Sequence, residues 1–478
     1  MTDLDQTVAT STPTPTRTPA PAGAAPAADA AARAAAVRDL DDRYVFHSWA
    51  TQGPRGALPI ERAQGSWVFD VEGNAYLDFS SQLVFTNIGH SHPRVVAAIQ
   101  AQAATLATLA PAFAHEARGQ AARAITELAG PGFAKVFFTN GGTEAVEHAV
   151  RMARVHTGRP KVLSAYRSYH GGTTTSIHLT GEPRRWANDT GAAGVAHFFG
   201  PFLYRSPFHA TTPQEECARA LDHLEQVITF EGPGTIAAII LESVVGSAGL
   251  IPPPPGYLAG VRELCDRYGI VWIADEVMAG FGRTGRWFAY QHAWDDAGQV
   301  TPDLVTFAKG VNSGYVPLGG VIVSEQIVDT FRTKPYPGGL TYSGHPLATA
   351  AAVATIEAMR AEGIVEHADH VGRTALGPGL RALAERHPAV GDVRGLGVFF
   401  ALDLVRDRAT REPLVPYGAA GAAAAPVTAV AEAARERGLL VLVQGNRIHV
   451  VPPCTVTEDE VATALGVLDQ ALTVADRA

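Results

Sequence analysis

Four short stretches of this chain carry residue types suited to chemistry. The first is Thr306-Phe307-Ala308-Lys309-Gly310-Val311-Asn312, where one lysine follows an apolar run and precedes a loop rich in Gly, Ser and Pro. An amine desolvated at such a place gives up its proton more readily and becomes a nucleophile; the alternative is a lysine that snorkels from a strand end to solvent. The second is Val271-Trp272-Ile273-Ala274-Asp275-Glu276-Val277, where a carboxylate closes an apolar strand at the edge where α/β folds place ligands. Asp275 could keep a pyridine nitrogen protonated there, or cap a helix, or face solvent. The third is Thr139-Asn140-Gly141-Gly142-Thr143-Glu144, a strand end, a glycine turn and a helix start. Amides at a helix N-terminus together with the Thr143 hydroxyl suit a phosphate, although the same pattern describes an ordinary capped turn. The fourth is Tyr166-Arg167-Ser168-Tyr169-His170-Gly171-Gly172. An aromatic at a strand end can stack on a flat heterocycle or fill a core, and His170 taken alone reads as a structural histidine.

The elements that must position these residues are legible in the same sequence. Short apolar runs at Lys135–Thr139, Lys161–Ala165, Val195–Phe199, Ile236–Glu242, Ile270–Asp275, Leu304–Ala308 and Gly320–Ser324 are mostly continuous rather than alternating in polarity. Strands buried on both faces look like that, as in a parallel sheet between helices. Helices are expected between them at Thr143–His156 and Tyr257–Tyr268, each followed by a glycine suited to a left-handed cap. The expected fold is α/β: a large, mostly parallel seven-stranded sheet sandwiched by helices, plus a smaller α+β domain. That smaller part is expected to use a helix from Pro346, strands near 398–404, 439–443 and 447–451, and a last helix from Glu458. All four chemical stretches fall at C-terminal strand ends of the large sheet.

Composition narrows the function classes. Apolar residues are 46% and charged residues 18% of the 478, enough for a large core. The formal charge of −9 lacks the basic stripe of a nucleic-acid binder. No long charge-free apolar run predicts a membrane span. Cys217, Cys265 and Cys454 are too scattered for a zinc knuckle or a disulfide framework, so no metal site is expected and a reducing, cytoplasmic setting is. Residues 1–38, rich in Ala and Pro, read as a disordered tail.

The joint pattern resembles the class III (omega-type) aminotransferases, pyridoxal 5′-phosphate (PLP) enzymes of fold type I. The resemblance runs from about Phe46 to the C-terminus. It is carried most specifically by Ala274-Asp275-Glu276-Val277 with Phe281-Gly282-Arg283-Thr284-Gly285, by Ala308-Lys309-Gly310, and by Leu340-Thr341-Tyr342-Ser343-Gly344-His345-Pro346. It implies that Lys309 carries PLP as a Schiff base and that Asp275 pairs with the pyridinium nitrogen. Val277 and Tyr169 are implied to pack on the two ring faces, and Gly142 and Thr143 to cradle the phosphate. His170 and Glu242 are implied to support the cofactor. Thr341 is implied to reach the phosphate of the neighbouring subunit in a homodimer, with pairing into tetramers left open. The substrate wall is implied to come from Leu83, Val84, Phe85 and Trp49. The implied layout is an N-terminal segment at 39–90 contributing to the small domain and pocket, a large PLP-binding domain at 91–343, and a C-terminal small α+β domain at 344–478.

By the same resemblance the reaction transfers nitrogen from an omega-amino donor to a 2-oxo acid such as pyruvate, through pyridoxamine phosphate. The stretches around His47-Ser48-Trp49, Ser80-Ser81-Gln82-Leu83 and Arg447-Ile448-His449 look most like the taurine:pyruvate branch. Taurine, β-alanine, 4-aminobutyrate and plain amines are all candidate donors. A same-fold mutase, racemase or decarboxylase shares these motifs, and a non-catalytic scaffold is the remote alternative. Three departures stand out: Glu242-Ser243 in place of Glu-Pro, Gly-Gly-Thr in place of Ser-Gly-Ser, and Leu442 where many relatives place an anion-binding arginine. Arg447 is the expected substitute, unless it is a surface strand arginine.

Overall fold

The computed structural model describes residues 27–188, 191, 194–294 and 298–478. They form two compact units. One runs through Arg62 and includes Phe69–Ala75; the other comprises Ala63–Val68 and Tyr76–Ala478. In the first unit, Ala27–Tyr44 is an 18-residue helix. The tail expected over 1–38 is therefore helical over 27–38, because the Ala-rich run that cannot build a core has high helix propensity. Residues 1–26 lie outside the described residues.

The second unit contains all seven expected strands of the large sheet. They are β1 (Phe133–Thr139), β2 (Lys161–Ala165), β3 (Val195–Phe198), β4 (Ile236–Glu242), β5 (Val271–Asp275), β6 (Leu304–Phe307) and β7 (Gly319–Ser324). Their order is β1-β7-β6-β5-β4-β2-β3. Every pairing from β6 to β3 is parallel, and β7 runs antiparallel to both β6 and β1.

Successive side chains of a strand point to opposite faces, and both faces here are buried. Ala238 and Ile240 of β4, Val271 and Ile273 of β5 and Val321 of β7 pack with Val146, Ala149 and Val150 of the Gly142–Thr157 helix. Ile239, Trp272, Val305 and Ile322 turn the other way. They pack with the Glu116–Ala129, Pro213–Glu231, Tyr257–Tyr268 and Pro346–Ala361 helices. This double burial is why the runs are continuously apolar in the sequence.

A second sheet has the order β8-β9-β11-β10: β8 (Val390–Leu396), β9 (Phe399–Asp407), β10 (Leu442–Gln444) and β11 (Arg447–Val450), with Glu412–Pro413 paired to β9. The strand expected over 439–443 is split, with Leu439–Leu440 pairing Leu77–Asp78 and β10 pairing β11. Phe400, Leu402, Leu404, Ile448 and Val450 face a core built with the Ala425–Glu436 and Glu458–Leu472 helices. Phe399, Ala401 and Val451 face the other way, into a small cluster with Val84, Val244 and Ala279. The boundary placed at 343/344 falls within this unit. Among the described residues no helix is long and apolar enough to cross a membrane.

Leu402 is fully buried in β9. Leu402→Ala should cost about 2–5 kcal/mol through lost transfer energy and a residual cavity. The expected observation is a lower urea midpoint with little change in secondary structure by circular dichroism.

Candidate active site

The C-terminal ends of three adjacent parallel strands meet in register. Glu242 pairs with Asp275, and Asp275 with Thr306. They share the parity of Ile240, Ile273 and Leu304, so the three side chains stand on the face covered by the Gly142–Thr157 helix. Two residues beyond β6 the chain makes a short turn, Lys309–Val311, in which Lys309 takes φ 46°. That left-handed value is uncommon for a residue with a Cβ. Gly310 is required beside it, since a Cβ there would lie 2.4 Å from Asn87 Nδ2.

Asp275 is 3% exposed. Its Oδ1 accepts bonds from Thr306 Oγ1 and the Val277 amide, both at 3.1 Å. Its Oδ2 lies 2.6 Å from His170 Nδ1. The His170 side chain is buried and its Nε2 has no hydrogen-bond partner. The His170 amide is held by Thr180 Oγ1 at 3.0 Å. Glu242 accepts the Tyr169 amide at 3.0 Å and the Gly246 amide at 2.7 Å. The structure thus links Tyr169 to Glu242 and His170 to Asp275 on the ends of adjacent strands.

Burial pushes the Lys309 ammonium down to about 8, although the Asp275 and Glu242 carboxylates pull it up. About a tenth of such amines are unprotonated at pH 7, far more than for an ordinary lysine. Burial likewise pushes the Glu242 carboxyl up to about 7, with His170 opposing and the Asp275 charge reinforcing the shift. Glu276 is fully buried, accepts the Ala289 and Tyr290 amides at 2.8 and 3.0 Å, and is also pushed up to about 7 by burial.

The glycine turn comes up against the same place. A Cβ on Gly142 would lie 2.7 Å from Val277 Cγ1, so only glycine lets the start of this helix approach Val277 so closely. Glu144 folds back onto the Asn140 amide at 2.8 Å. The first amides of the helix have no intrahelical acceptor, as at any helix N-terminus. Thr143 Oγ1 lies 2.9 Å from Thr173 Oγ1 and 2.8 Å from Ser176 Oγ, which makes a hydroxyl cluster beside those amides. One face of the Tyr169 ring is covered by Arg184, whose Cζ is 3.7 Å from the centroid; a flat heterocycle has to use the other face.

These features fit PLP on four counts. A lowered amine can take its aldehyde, a fixed buried carboxylate can take its pyridinium, free helix amides with hydroxyls can take its phosphate, and Val277 is positioned by the missing Cβ of Gly142.

The expected wall residues have distinct placements. Val84 is buried, packed with Ala279 and Val244, and Leu83 is 46% exposed. The Phe85 ring packs on Gly314, in the loop that follows Lys309. Ser81, Gln82 and Val84 all have positive φ, a strain of order 1–3 kcal/mol each. Thr341 is exposed, in a turn fastened by Ser343 Oγ to the Phe138 carbonyl at 2.8 Å, and is not brought to the Lys309 group of its own chain. Trp49 lies in the first unit and is 69% exposed.

Arg447 is half-buried rather than fully exposed. Burial pushes its guanidinium down to about 10, and its Nε has no hydrogen-bond partner. The nearby Asp403 carboxylate is already bonded to Arg205 at 3.1 Å and Arg394 at 3.0 Å. By strand parity Arg447 shares the sheet face of Ala401 and Val451, toward the Val84 cluster. His449, two residues on, is fully buried with neither ring nitrogen partnered. Burial and the surrounding arginines hold its pKa well below the ordinary histidine value. Sequence reading missed His449, Arg184 and Asp78; the i, i+2 spacing from Arg447 was the available signal for the first.

The raised Glu242 carboxyl has a consequence for stability. Protonation there favours the folded state, so its contribution is complete below about pH 4.5 and is lost as pH rises through about 7. In the cofactor-free protein, Glu242→Gln should flatten the fall in melting temperature between those values. Part of the slope should persist, because Glu276 acts with the same sign. An unaltered slope would assign the effect elsewhere.

A sequence model of the family "Aminotransferase class-III" matches residues 50–472. Among solved structures, the taurine:2-oxoglutarate aminotransferase from Bifidobacterium kashiwanohense, in complex with PLP and glutamate, superposes with a TM-score of 0.88 at 40% identity, covering 93% of this chain and 98% of that one. The gamma-aminobutyrate transaminase 1 of Oryza sativa subsp. japonica is 34% identical over 435 residues, 87% of this chain and 81% of that protein. The putrescine–pyruvate aminotransferase of Pseudomonas aeruginosa is 33% identical over 426 residues, 87% and 90% of the two chains. With the fold, the site geometry and these matches in agreement, the chain belongs to the class-III aminotransferases and is a PLP-dependent transferase of fold type I.

Proposed function

We propose that this aminotransferase takes its nitrogen from an omega-amino acid with an anionic far end, taurine first, and passes it to a 2-oxo acid such as pyruvate. The observation that carries the reading is Arg447, a half-buried guanidinium with no carboxylate at ion-pair distance among the described residues, on the sheet face that looks toward the Val84 cluster. A guanidinium left without an anion in such a place is costly. A sulfonate or carboxylate answers it with charge-assisted hydrogen bonds. A plain amine or a diamine leaves it unanswered. The taurine-acting relative supports the same choice.

When bound, PLP supplies an electron sink for the carbon–hydrogen bond that must break. Lys309 would be the residue that holds the cofactor aldehyde, and its amine, lowered to about 8, would be able to take up and give back a proton there. Asp275, oriented by His170 and Thr306, holds the ring nitrogen proton. Val277 and Tyr169 clamp the ring. Gly142 and Thr143 hold the phosphate, and the partner subunit's Thr341 completes that cradle in a homodimer. Glu242 braces Tyr169 through its amide. Leu83, Val84 and Phe85 form the substrate wall. The cofactor-holding residues lie within 91–343, and 344–478 supplies Arg447. The three free cysteines support a cytoplasmic setting.

Two measurements test this. Lys309→Ala should abolish turnover and the visible absorbance of the bound cofactor, and borohydride reduction should fix PLP to Lys309 alone; label at another residue would overturn its role. In a donor panel assayed with pyruvate and with 2-oxoglutarate, Arg447→Met should raise the KM for taurine or β-alanine about 10- to 100-fold, as expected for the loss of a charged hydrogen-bond pair worth about 1.5–3 kcal/mol. It should leave a simple arylalkylamine nearly unaffected. Equal losses on both donor classes would reject the anion contact.

A further inference from the structure

The wall carried by Leu83–Phe85 hangs on a turn that its own backbone does not favour. Ser81, Gln82 and Val84 take φ of 44°, 61° and 60°, and Gln82 combines this with ψ −99°. Three left-handed residues within four, none of them glycine and one β-branched, persist only when their surroundings over-determine them.

One side chain does most of that. Asp78 ends the Ala75–Asp78 strand and is 0% exposed. Its Oδ1 accepts the Ser80 amide at 3.2 Å, the Ser80 hydroxyl at 2.6 Å and the Gln82 amide at 3.3 Å. Its Oδ2 accepts Gln82 Nε2 at 2.9 Å and lies 2.9 Å from His90 Nε2. Burial alone would raise the carboxyl, but the bonds from His90, Ser80 and Gln82 prevail and keep it below the ordinary range. A second anchor holds the same turn from the far side. Ser81 Oγ donates to the Val451 carbonyl at 2.6 Å and accepts from Arg283 at 3.2 Å. Between the two anchors the chain presents Val84 to Ala279 and Val244, leaves Leu83 half exposed, and lays Phe85 on Gly314.

We propose that Asp78 is a positioning residue: by gathering the Ser80 and Gln82 donors it holds the left-handed turn and so sets the width of the substrate wall and the choice among amine donors. This rests on the reading of Leu83–Phe85 as that wall. Asp78 acts through the turn and touches neither substrate nor cofactor. Releasing its grip lets Gln82 and Val84 relax toward negative φ, which withdraws Val84 from its cluster and changes the room beside the donor nitrogen.

The test uses the PLP-loaded enzyme and three variants. Asp78→Asn replaces one acceptor oxygen with a donor that faces Gln82 Nε2. Gln82→Ala removes that side-chain bond and leaves Asp78 its other four. The double variant D78N/Q82E restores a donor–acceptor pair with the polarity reversed. The readout is the ratio of kcat/KM between a slender and a branched amine donor that the wild type turns over, with cofactor content by visible absorbance and melting temperature alongside.

The expected result is a change of about threefold or more in that ratio for both single variants, mainly through donor KM. Cofactor content should be retained, and the double variant should return toward the wild-type ratio. An unchanged ratio in folded, PLP-loaded Gln82→Ala and Asp78→Asn would overturn the proposal, as would an equal loss on every donor. If Asp78→Asn does not fold, Gln82→Ala decides alone. A wild type inactive on omega-amino sulfonates and carboxylates would instead reject the proposed donor class, and plain amines would still report the ratio.

Discussion

Asp275 stands at the end of a strand in the middle of a sheet, almost completely removed from water, and the surroundings of Lys309 are arranged to satisfy it. A buried carboxylate must be hydrogen-bonded or face a cation to persist. The Thr306 hydroxyl, the Val277 amide and the His170 ring do the first, and the Lys309 amine contributes the second. The parallel register makes this possible, because neighbouring strands end together and align Glu242, Asp275 and Thr306 on one face. The same face receives the start of the Gly142–Thr157 helix, where Gly142 packs against Val277, two residues beyond Asp275.

The second sheet gathers several arginines. Arg394 pairs with both Asp392 and Asp403, Arg205 pairs with Asp403, Arg447 feels the Asp403 charge without reaching ion-pair distance, and His449 is kept neutral beside them. The strained Ser81–Val84 turn lies where the clusters of the two sheets meet, fastened to Asp78 on one side and to the Val451 carbonyl on the other.

Much of the fold could be read from the amino-acid sequence. Continuous apolar runs such as Ile236–Leu241 announced strands buried on both faces, and the glycines after Thr157 and Tyr268 marked helix ends that the structure shows in left-handed caps. Lys309 and Asp275 were legible because each stands at the end of an apolar run, and local order carries it to the sheet edge, whereas Glu242 and Tyr169 were singled out through the family resemblance. Arg447 was not resolvable between surface and interior, since a two-residue alternation says which residues share a face but not what covers it. His449 left almost no local signal, because its burial is set by elements far away in sequence, while Asp78 and Arg184 have partners close in the chain that only the folded backbone brings to bear. The helix over Ala27–Tyr44 is the converse case, where local propensity prevailed over a composition too poor for a core.

By itself the sequence determined the alternation of strands and helices, the placement of chemical residues after strand ends, and the left-handed glycine caps. These depend on side-chain periodicity and on backbone sterics within a few residues. Only the tertiary structure decided the strand order with β7 reversed, the meeting of Gly142 with Val277, the half-burial of Arg447 without an ion pair, and the grip of Asp78 on a turn next to it in the chain but completed by His90 and Val451. Desolvation explains the division: how far a charge is removed from water, and which opposite charge it meets there, depends on every element packed around it.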